Sequence, residues 1–401
     1  MSDIRQDDFD YDVVVAGGGP AGSTAATLLA QYGHRVLLLE SGRHPRFHIG
    51  ESMLPFSEPV IARLGIAWGE GNQFKSGAVF MDESSGQRMF FPLSVYRKAY
   101  QLERAPFDQL LFQNAAKHGA ETREEEKVLE VSCLPGHVDI VSDKARYRCR
   151  YAIDATGRAA LMGKQDRSIR RIENLGKFAV YTHYQDIQPG EEADELFRTG
   201  CIHVPVVDIG WLWIIPLSGR RLSVGLVVQK ERPKDCEVDE LLMRYMAASP
   251  LLQRLLAGAE QSAPVRVEAD FSYTNINRYG MRYACCGDAA GFLDPVFSSG
   301  VFLAFTGAAR VADRVHQGLT EGREADPDLH AEDDEAYLLG FNTMRLFVER
   351  FYQSNIVHNL FFEADRNPEL KDQIARLLAG DLWVTDNALQ KSLLAGRQMG
   401  G

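Results

Sequence analysis

The sequence of 401 residues lacks several of the patterns that would assign it to a class at once. It has no run of about 18 apolar residues, so we expect no transmembrane helix and no stable membrane association. The N-terminal stretch MSDIRQDDFD is acidic and has no apolar core, which argues against a secretory signal peptide. With a formal net charge of −11, the chain also lacks a basic stripe, and we expect no nucleic-acid partner.

Cysteine is scarce, and its spacing fits neither a metal site nor a disulfide framework. The six cysteines form no C-x-x-C pairs and show no zinc-like spacing, so no metal site is predicted. The adjacent Cys285 and Cys286 lie in an apolar stretch, where thiols usually behave as small hydrophobic side chains. Free thiols are typical of a reducing compartment, and we therefore expect a cytoplasmic protein.

The strongest local signal is the stretch YDVVVAGGGPAGSTAATLLAQYGHRVLLLES, residues 11–41. Its hydrophobic pattern predicts a buried strand, an apolar helix and a second buried strand. Gly17, Gly19 and Gly22 form G-x-G-x-x-G between the first strand and the helix, and Glu40 ends the second strand. Strand, glycine motif, helix, strand and acid together are typical of a Rossmann unit that binds a dinucleotide.

The three glycines of this motif have different expected roles. Gly17 permits the tight turn, Gly19 lets the backbone approach a pyrophosphate, and Gly22 lets the helix and strand pack closely. The helix N-terminus supplies free N–H donors to the phosphates, and Glu40 is placed to accept hydrogen bonds from a ribose.

Two later stretches decide between a flavin and a nicotinamide cofactor. YAIDATGR (151–158) is a strand that runs into a glycine turn, and YACCGDAAGFLDPVFSSGVFLAFTGAARVADRV (283–315) is a strand, a Gly-Asp turn and a long helix. These stretches resemble flavoproteins of the glutathione-reductase type, specifically relatives of p-hydroxybenzoate hydroxylase. The resemblance implies bound FAD, with Asp288 on its ribityl chain and the positive helix start directed at the isoalloxazine.

Five short stretches further resemble flavin-dependent halogenases that act on phenols and pyrroles. They are HIGESMLP (48–55), FKSGAVF (74–80), ERAPFDQLL (103–111), WLWIIP (211–216) and GFLDPVFSSGVFLA (291–304). The resemblance covers about three quarters of the chain. It implies that reduced FAD, O2 and chloride or bromide give hypohalous acid, which Lys75 activates and carries to an electron-rich ring.

The resemblance also implies roles for the residues around the flavin. Trp211 and Trp213, which share a face in an extended segment, would form with Pro216 a wall between flavin and substrate. The expected halide-binding residues, which share one helix start, are Ser298, Ser299 and Gly300. The expected cofactor-binding residues, which surround the flavin, are Gly17, Gly19, Ala21, Gly22, Glu40, Ser52, Arg104, Asp288, Gly300 and Val301.

Phe297 stands where tryptophan halogenases carry a glutamate, so free tryptophan is not the expected substrate. A phenolic or pyrrolic ring, free or tethered to a carrier protein, fits better. The chain shows no second dinucleotide motif, so we expect no stable NAD(P)H binding. A separate flavin reductase is the partner that the family resemblance implies.

The predicted fold is α/β, with a Rossmann-like FAD-binding lobe, an inserted β-rich substrate lobe and C-terminal helices. The FAD-binding lobe is discontinuous and takes residues 1–74, 106–168 and 282–318. The β-rich lobe takes 75–105 and 169–281, and the remainder, 319–401, takes an acidic connector over 320–335 and a helix over 337–357. The chain ends earlier than many halogenases, which predicts a more open pocket, a bulky or tethered substrate, or lost halogenase chemistry.

Two other interpretations stay open on the sequence alone. The same scaffold serves aromatic hydroxylases and reductases that saturate prenyl double bonds, although WLWIIP and Lys75 speak against both. The second is a flavin-binding protein without turnover, against which we weigh the large stretch of sequence given to a substrate lobe.

Overall fold

The computed structural model describes residues 9–83, 85–173, 175–176, 178–229, 236–269, 272–353, 366–384 and 386–396. Within them the strands, in chain order, are β1 (Tyr11–Ala16), β2 (Val36–Leu39), β3 (Gln73–Phe74), β4 (Gly77–Asp82), β5 (Arg88–Pro92), β6 (Tyr100–Gln101), β7 (Glu121–Arg123), β8 (Val128–Cys133), β9 (Val138–Ser142), β10 (Arg146–Asp154), β11 (Ile169–Arg171), β12 (Phe178–Gln185), β13 (Ile202–Val207), β14 (Gly210–Leu217), β15 (Arg221–Val228), β16 (Glu260–Gln261), β17 (Arg266–Ala269), β18 (Tyr273–Asn275), β19 (Tyr279–Gly280), β20 (Tyr283–Cys285) and β21 (Gly291–Phe292). The α-helices are α1 (Pro20–Gln31), α2 (Glu58–Arg63), α3 (Arg104–Lys117), α4 (Leu161–Gln165), α5 (Glu191–Thr199), α6 (Val238–Ala248), α7 (Pro250–Leu255), α8 (Ser299–Glu321), α9 (Ala331–Tyr352), α10 (Pro368–Ala379) and α11 (Ala388–Leu394).

The first sheet has the strand order β19-β20-β10-β1-β2-β7, and β8 and β9 extend it beside β10. β1 lies parallel to both neighbours, with Val13 opposite Val36 on one side and Tyr151 on the other. Its apolar run is continuous because both faces of a parallel sheet are covered. α1, α3 and α8 pack together on one of these faces. The strand, helix and strand predicted near the N-terminus are therefore present.

The second sheet has the order β16-β12-β15-β14-β13-β4-β5, with β17 beside β12. Its pairs are antiparallel except for the parallel pair β13–β4. β14 carries WLWIIP through the middle of the sheet, so both of its faces are buried. All of these strands come from residues 77–92 and 178–269. The lobe boundaries drawn from the sequence stay a prediction.

The C-terminal helices pack on the second sheet and the start of α8. α9 buries Phe341, Phe347, Val348 and Phe351 in the cluster that also contains the β14 tryptophans. The sequence predicted a helix over 337–357; α9 instead begins at Ala331, and residues 354–357 lie outside the described part of the chain. No helix among the described residues is long and apolar enough to cross a membrane.

The acidic stretch 320–335 was expected to be an irregular, solvated connector, and the structure corrects this. α8 runs into the stretch and α9 begins inside it. Glu324 is buried and pairs with Arg150 at 2.8 Å and with Arg282 at 3.4 Å. His330 is also buried, and its ring nitrogen lies 2.9 Å from the hydroxyl of Tyr151. Ion pairs to the first sheet hold this acidic segment in place.

Candidate active site

A cavity of about 1270 Å³ lies between the carboxyl ends of the first sheet and one face of the second sheet. It is larger than the 300–1,000 Å³ that is roughly typical of small-molecule pockets. The residues after β1, β2, β10 and β20 all reach it, as expected for a ligand site in an open α/β sheet. The sequence-predicted residues that line the cavity are Gly17, Gly19, Ala21, Glu40, Ser52, Arg104, Trp211, Trp213, Asp288, Ser298, Gly300 and Val301.

The glycines of the motif have two different roles, since Gly19 leaves room for a ligand and Gly22 allows close packing of the helix on the strand. A Cβ atom on Gly19 would meet only the end of the Arg46 side chain, at 3.8 Å, so it would enter the cavity at the start of α1. A Cβ on Gly22 would lie 1.8 Å from the carbonyl oxygen of Gly17. Gly22 is not among the cavity-lining residues described, so it serves the helix–strand contact. Gly19 leaves the open cradle that a pyrophosphate requires.

Glu40 holds the edge of this cradle together. Its carboxylate accepts hydrogen bonds from the backbone N–H of Gly18 and of Gly42, each at 2.8 Å, and from Arg46 at 3.1 Å. Burial raises the pKa of Glu40, but the Arg46 charge and these donors outweigh it and hold the pKa below its usual value. An ionised acid at the end of β2 fits the ribose-binding role expected there.

Asp288 presents a carboxylate to the cavity without a protein hydrogen-bond donor among the described residues. It lines the cavity, and within the described residues its carboxylate makes no hydrogen bond. Burial raises the pKa of Asp288 to about 6, against the lowering effect of Arg104 and Arg158. The residue is half-buried and its carboxylate is open to the cavity, so the hydroxyls of a ribityl chain could supply hydrogen-bond donors to it.

Arg104 is already engaged by protein groups. Its guanidinium forms a two-bond fork with Asp108, at 2.8 and 2.9 Å, and donates to the backbone carbonyl of Ile49 at 2.9 Å. The Asp108 charge holds the pKa of Arg104 above its usual value although burial lowers it. Arg104 therefore fixes the loop at residues 49–50 against the cavity. Asp108 was missed, although its i,i+4 spacing from Arg104 in ERAPFDQLL is a readable signal.

The start of α8 offers an anion site. Ser298 takes the N-cap position with φ of 56°, and among the described residues no side chain caps the helix. Ser298, Gly300 and Val301 face the cavity, whereas Ser299 is buried and is not among the lining residues described. The uncapped N–H groups and the positive end of a 23-residue helix favour an anion there. The halide role of these residues stays a prediction.

The two tryptophans share one face of β14 and line the cavity, as predicted. Trp213 lies flat across Gly225 of β15, where a Cβ would come within 2.3 Å of its ring, and its Nε1 donates to Ser223 Oγ at 3.0 Å. Pro216 is buried, but alternation along β14 puts it on the opposite face. Of the three residues predicted to form a wall, the two tryptophans therefore face the cavity and Pro216 does not, and the separation of flavin from substrate stays a prediction.

Trp211 is held by a chain of hydrogen bonds that no local sequence pattern predicts. Its Nε1 donates to the hydroxyl of Tyr352 at 2.8 Å, and that hydroxyl donates to Asp294 Oδ2 at 2.9 Å. Asp294 also accepts from the backbone N–H of Gly176 and of Val296. Burial raises the pKa of Asp294 to about 6, against the lowering effect of these donors. Asp294 therefore caps the turn before α8 and also ties α9 to the tryptophan wall.

Lys75 lies behind the loop that carries Ser52. Its side chain is buried, and Nζ donates to Ser52 Oγ at 2.8 Å and to the Met53 carbonyl at 3.0 Å. Burial lowers the pKa of Lys75 to about 7. Lys75 is not among the cavity-lining residues described, whereas Ser52 is. Ser52, predicted to bind cofactor, thus stands between the cavity and the amine.

An aromatic cluster surrounds Phe297 next to the wall. Phe297 stacks on Phe347 of α9 with centroids 4.4 Å apart, and it meets Phe80 and Phe351 edge-on at 6.3 and 5.6 Å. The four rings belong to the same buried cluster as both tryptophans. The position where a glutamate would mark a tryptophan halogenase is therefore apolar and closely packed.

Comparison with known proteins identifies the family. The profile described as tryptophan halogenase matches residues 12–98 and 80–386. The chain belongs to the tryptophan halogenase family. It is 32% identical to the tryptophan 2-halogenase of Chondromyces crocatus over 417 residues, which cover 94% of this chain and 78% of that protein. It is 30% identical to the 1H-pyrrole-2-carbonyl-[peptidyl-carrier protein] brominase of Pseudoalteromonas luteoviolacea, with 92% of each chain covered.

A solved flavin-dependent brominase gives the same result in three dimensions. It superposes on the halogenase with a TM-score of 0.85 at 27% identity, covering 96% of this chain and 98% of that one. The predicted α/β fold with a Rossmann-like FAD-binding lobe is confirmed. This protein is an FAD-dependent halogenating enzyme, and the hydroxylase, reductase and non-catalytic interpretations lose their support. The open phosphate cradle and the unsatisfied Asp288 fit FAD.

Proposed function

We propose that this halogenase delivers halogen through Lys75 to an electron-rich phenolic or pyrrolic ring. The observation that carries the proposal is the geometry of the Lys75 amine. Ser52 and the Met53 carbonyl accept two of its hydrogen bonds. One position on nitrogen is left, an N–H in the ammonium form and a lone pair in the amine form.

The surroundings of Lys75 make both forms of the amine accessible. Because burial lowers its pKa to about 7, ammonium and amine coexist at neutral pH. The ammonium donates a hydrogen bond to an oxidant, and the amine accepts halogen from it. When bound, reduced FAD would supply two of the four electrons that O2 accepts, and the halide would supply the other two as it is oxidised to hypohalous acid. Ser52, in the cavity wall, is then the residue past which the oxidant reaches Lys75.

The wall and the aromatic cluster set the conditions for the acceptor. Trp211 and Trp213 place two large apolar surfaces against the cofactor cavity, which keeps the acceptor ring from the flavin. Beyond them, Phe297 and its partners exclude water and offer no group to a free amino acid's charges. This favours a neutral ring over free tryptophan. The carrier-bound pyrrole named for the Pseudoalteromonas relative supports a tethered acceptor.

The test supplies the purified protein with FAD, a flavin reductase, NADH, O2 and bromide or chloride. The acceptors are a free phenol, a free pyrrole, pyrrole-2-carbonyl on a peptidyl-carrier protein, and tryptophan. We expect a mass increase for one halogen on the phenol or pyrrole class and none on tryptophan. Halogenated tryptophan, or oxygenated product from every acceptor, would contradict the proposed substrate class.

We further propose that reduced FAD comes from a separate flavin reductase. The sequence contains one dinucleotide-binding motif, and Gly17 and Gly19 of that motif line the cavity that we assign to FAD. NADH alone should therefore reduce bound FAD slowly, and adding a reductase should start turnover. Rapid bleaching of the flavin by NADH or NADPH without reductase, in stopped-flow mixing, would contradict this partner.

A further inference from the structure

Buried Glu51, which lines the cofactor cavity, and half-buried His183 behind it form a hydrogen-bonded pair that the proposed route through Lys75 leaves unused. His183 Nε2 lies 2.8 Å from Glu51 Oε1. Glu51 lines the cavity and is 3% exposed, and its second oxygen, Oε2, is buried without a hydrogen-bond partner in the described part of the chain. A buried carboxylate oxygen without a donor is costly, so it points to a group that arrives with the ligand.

The pair connects solvent with the cavity. The His183 side chain is 13% exposed, whereas Glu51 is 3% exposed and faces the cavity. The Phe47 ring meets His183 edge-on with centroids 5.7 Å apart, and Arg266 lies over the outer face of Phe47. An imidazole ring has two nitrogens, so it can take a proton at one and release a proton from the other. The 2.8 Å contact therefore allows transfer of a proton from His183 to Glu51.

Other charged groups face Glu51 from two neighbouring elements. Arg104 of α3 interacts electrostatically with Glu51, and the Asp108 fork offsets much of the Arg104 charge. Tyr181 of β12 also interacts electrostatically with Glu51. Lys75 hydrogen-bonds to Ser52 and Met53, the residues that follow Glu51 in the loop. The two hydrogen bonds that Lys75 makes therefore go to Ser52 and Met53, and His183 is the hydrogen-bonded partner of Glu51.

The reaction itself requires a proton in this cavity. Reduced FAD, O2, halide, one proton and an arene give FAD, the haloarene and two water molecules, which balances atoms and charge. One proton is thus taken up with each halide ion, and the acceptor ring releases its own proton into the second water. The halide and O2 diffuse in, but a proton in a buried site needs a side chain to deliver it.

We propose that Glu51 donates the proton consumed with each halide and that His183 replaces it from solvent. This inference rests on the proposed function, since it assumes that hypohalous acid forms in the cavity before it reaches Lys75. It assigns Glu51 to oxidant formation and Lys75 to oxidant delivery. The two steps have different readouts, so the two proposals fail separately.

The experiment uses Glu51→Gln and His183→Gln, with His137→Gln as the matched control. His137 pairs with Asp139 at 3.2 Å on β9, where both are partly exposed. For each variant we would measure FAD affinity by flavin fluorescence, oxidant formation with a soluble trap, and arene halogenation from pH 6 to pH 9. A Lys75→Ala background separates trapping from delivery.

We expect Glu51→Gln to bind FAD within about threefold of the parent, yet to form trapped oxidant at least roughly 100-fold more slowly, in both backgrounds. His183→Gln should lose less at pH 6 and progressively more toward pH 9, where protons from solvent are scarce. The His137→Gln control should match the parent throughout.

Two results would overturn the inference. Trapped oxidant at the parent rate from Glu51→Gln would show that the proton comes from elsewhere. FAD affinity weakened more than about 30-fold would make Glu51 a cofactor-holding residue instead. If Glu51→Gln does not fold, His183→Gln decides, because its partly exposed ring tolerates the change, and a pH profile parallel to the parent would then refute the relay. Arene halogenation by Lys75→Ala with normal trapping would refute the Lys75 proposal alone.

Discussion

The two sides of the tryptophan wall are built in opposite ways. On the cofactor side, Gly19 and Asp288 leave an open cradle and an unsatisfied carboxylate around a cavity of about 1270 Å³. On the side that we propose for the acceptor, Phe297 stacks on Phe347, and the proposed carrier Lys75 is 1% exposed. The difference indicates that the cofactor site is preformed, whereas the amine that we propose as the halogen carrier is shielded from water. Each side should therefore be separable by mutation.

The largest expected effect comes from a mutation that should abolish FAD binding without unfolding the protein. Gly19→Val places a branched side chain in the pyrophosphate cradle, where the nearest protein atom to a Cβ is 3.8 Å away. Because the added Cβ meets no atom of the described residues closer than 3.8 Å, we expect a folded protein with FAD affinity lowered at least roughly 100-fold. Flavin fluorescence titration and circular dichroism measure the two properties. Stoichiometric FAD on a folded Gly19→Val variant would contradict the cradle.

Gly22→Val is the matched control for that change. Its Cβ would lie 1.8 Å from the Gly17 carbonyl oxygen, so it should damage folding before it damages binding. Loss of thermal stability in this variant, together with normal stability in Gly19→Val, would separate the packing glycine from the binding glycine.

The second prediction concerns a mutation that should abolish halogen transfer without changing FAD binding. Lys75→Ala removes the amine but leaves the cavity wall, because Lys75 lies behind Ser52. We expect unchanged FAD affinity and arene halogenation reduced roughly 100- to 10,000-fold. Product mass spectrometry beside a flavin titration measures both.

Lys75→Arg sharpens this test because it keeps the positive charge. A guanidinium stays protonated and is planar, so it neither accepts halogen nor fits the two acceptors of Lys75. Halogenation should be lost in this variant too. Full activity in either variant would remove Lys75 from the delivery route.

The sequence predicted the side of the wall that local geometry determines. G-x-G-x-x-G and Glu40 lie at strand ends, and parallel strands bring their carboxyl ends to one edge, whereas the role of Asp288 was implied by the family resemblance. Alternation along a strand predicted that Trp211 and Trp213 share a face, and the family resemblance predicted that they stand beside the flavin with Pro216. The two tryptophans line the cavity, whereas Pro216 lies on the other face of the strand.

The contacts that the sequence could not predict join residues far apart in the chain. Tyr352 meets Trp211 across 141 positions, and His183 meets Glu51 across 132. No periodicity or motif pairs such residues, because packing of α9 and of β12 against the rest of the molecule brings them together. The sequence could not predict the burial of Lys75 behind Ser52 for the same reason. The motif FKSGAVF alone indicates only a lysine on a glycine-containing loop.

The third prediction tests how well the acceptor side excludes water. Burial lowers the Lys75 pKa from 10.5 to about 7, so between these values the unfolded chain holds a proton that the folded protein lacks. Stability should therefore rise with pH through that window. In Lys75→Met this rise should disappear, and the stability difference from the parent should change by on the order of 4 kcal/mol between pH 7 and pH 10.5.

Urea unfolding at several pH values measures that difference. Lys164→Met is the control, because its side chain belongs to an exposed residue at the cavity mouth. A pH-independent difference for Lys75→Met would show that the amine is hydrated in solution and that the acceptor side is as open as the cofactor side.

The smallest expected effect concerns the hydrogen bond that ties the wall to α9. Tyr352→Phe removes the hydroxyl that accepts from Trp211 and donates to Asp294, while Asp294 keeps its backbone donors from Gly176 and Val296. One buried N–H of Trp211 is left without a partner, so we expect unfolding free energy to fall by about 1–2 kcal/mol. Halogenation should fall several-fold without a change in FAD affinity, because the Trp213 side of the wall keeps its own bond to Ser223.

Tyr245→Phe provides the comparison, since its hydroxyl donates to Asp208 at 2.5 Å on the surface, where water replaces the lost partner. That variant should lose less than about 0.5 kcal/mol. Tryptophan fluorescence should shift in Tyr352→Phe and not in Tyr245→Phe, because only the first change touches an indole. If both variants unfold at the same urea concentration with the same spectrum, α9 does not hold Trp211. If FAD affinity falls in Tyr352→Phe, the two sides of the wall are coupled, and the separation between a preformed cofactor site and a shielded acceptor site is wrong at Trp211.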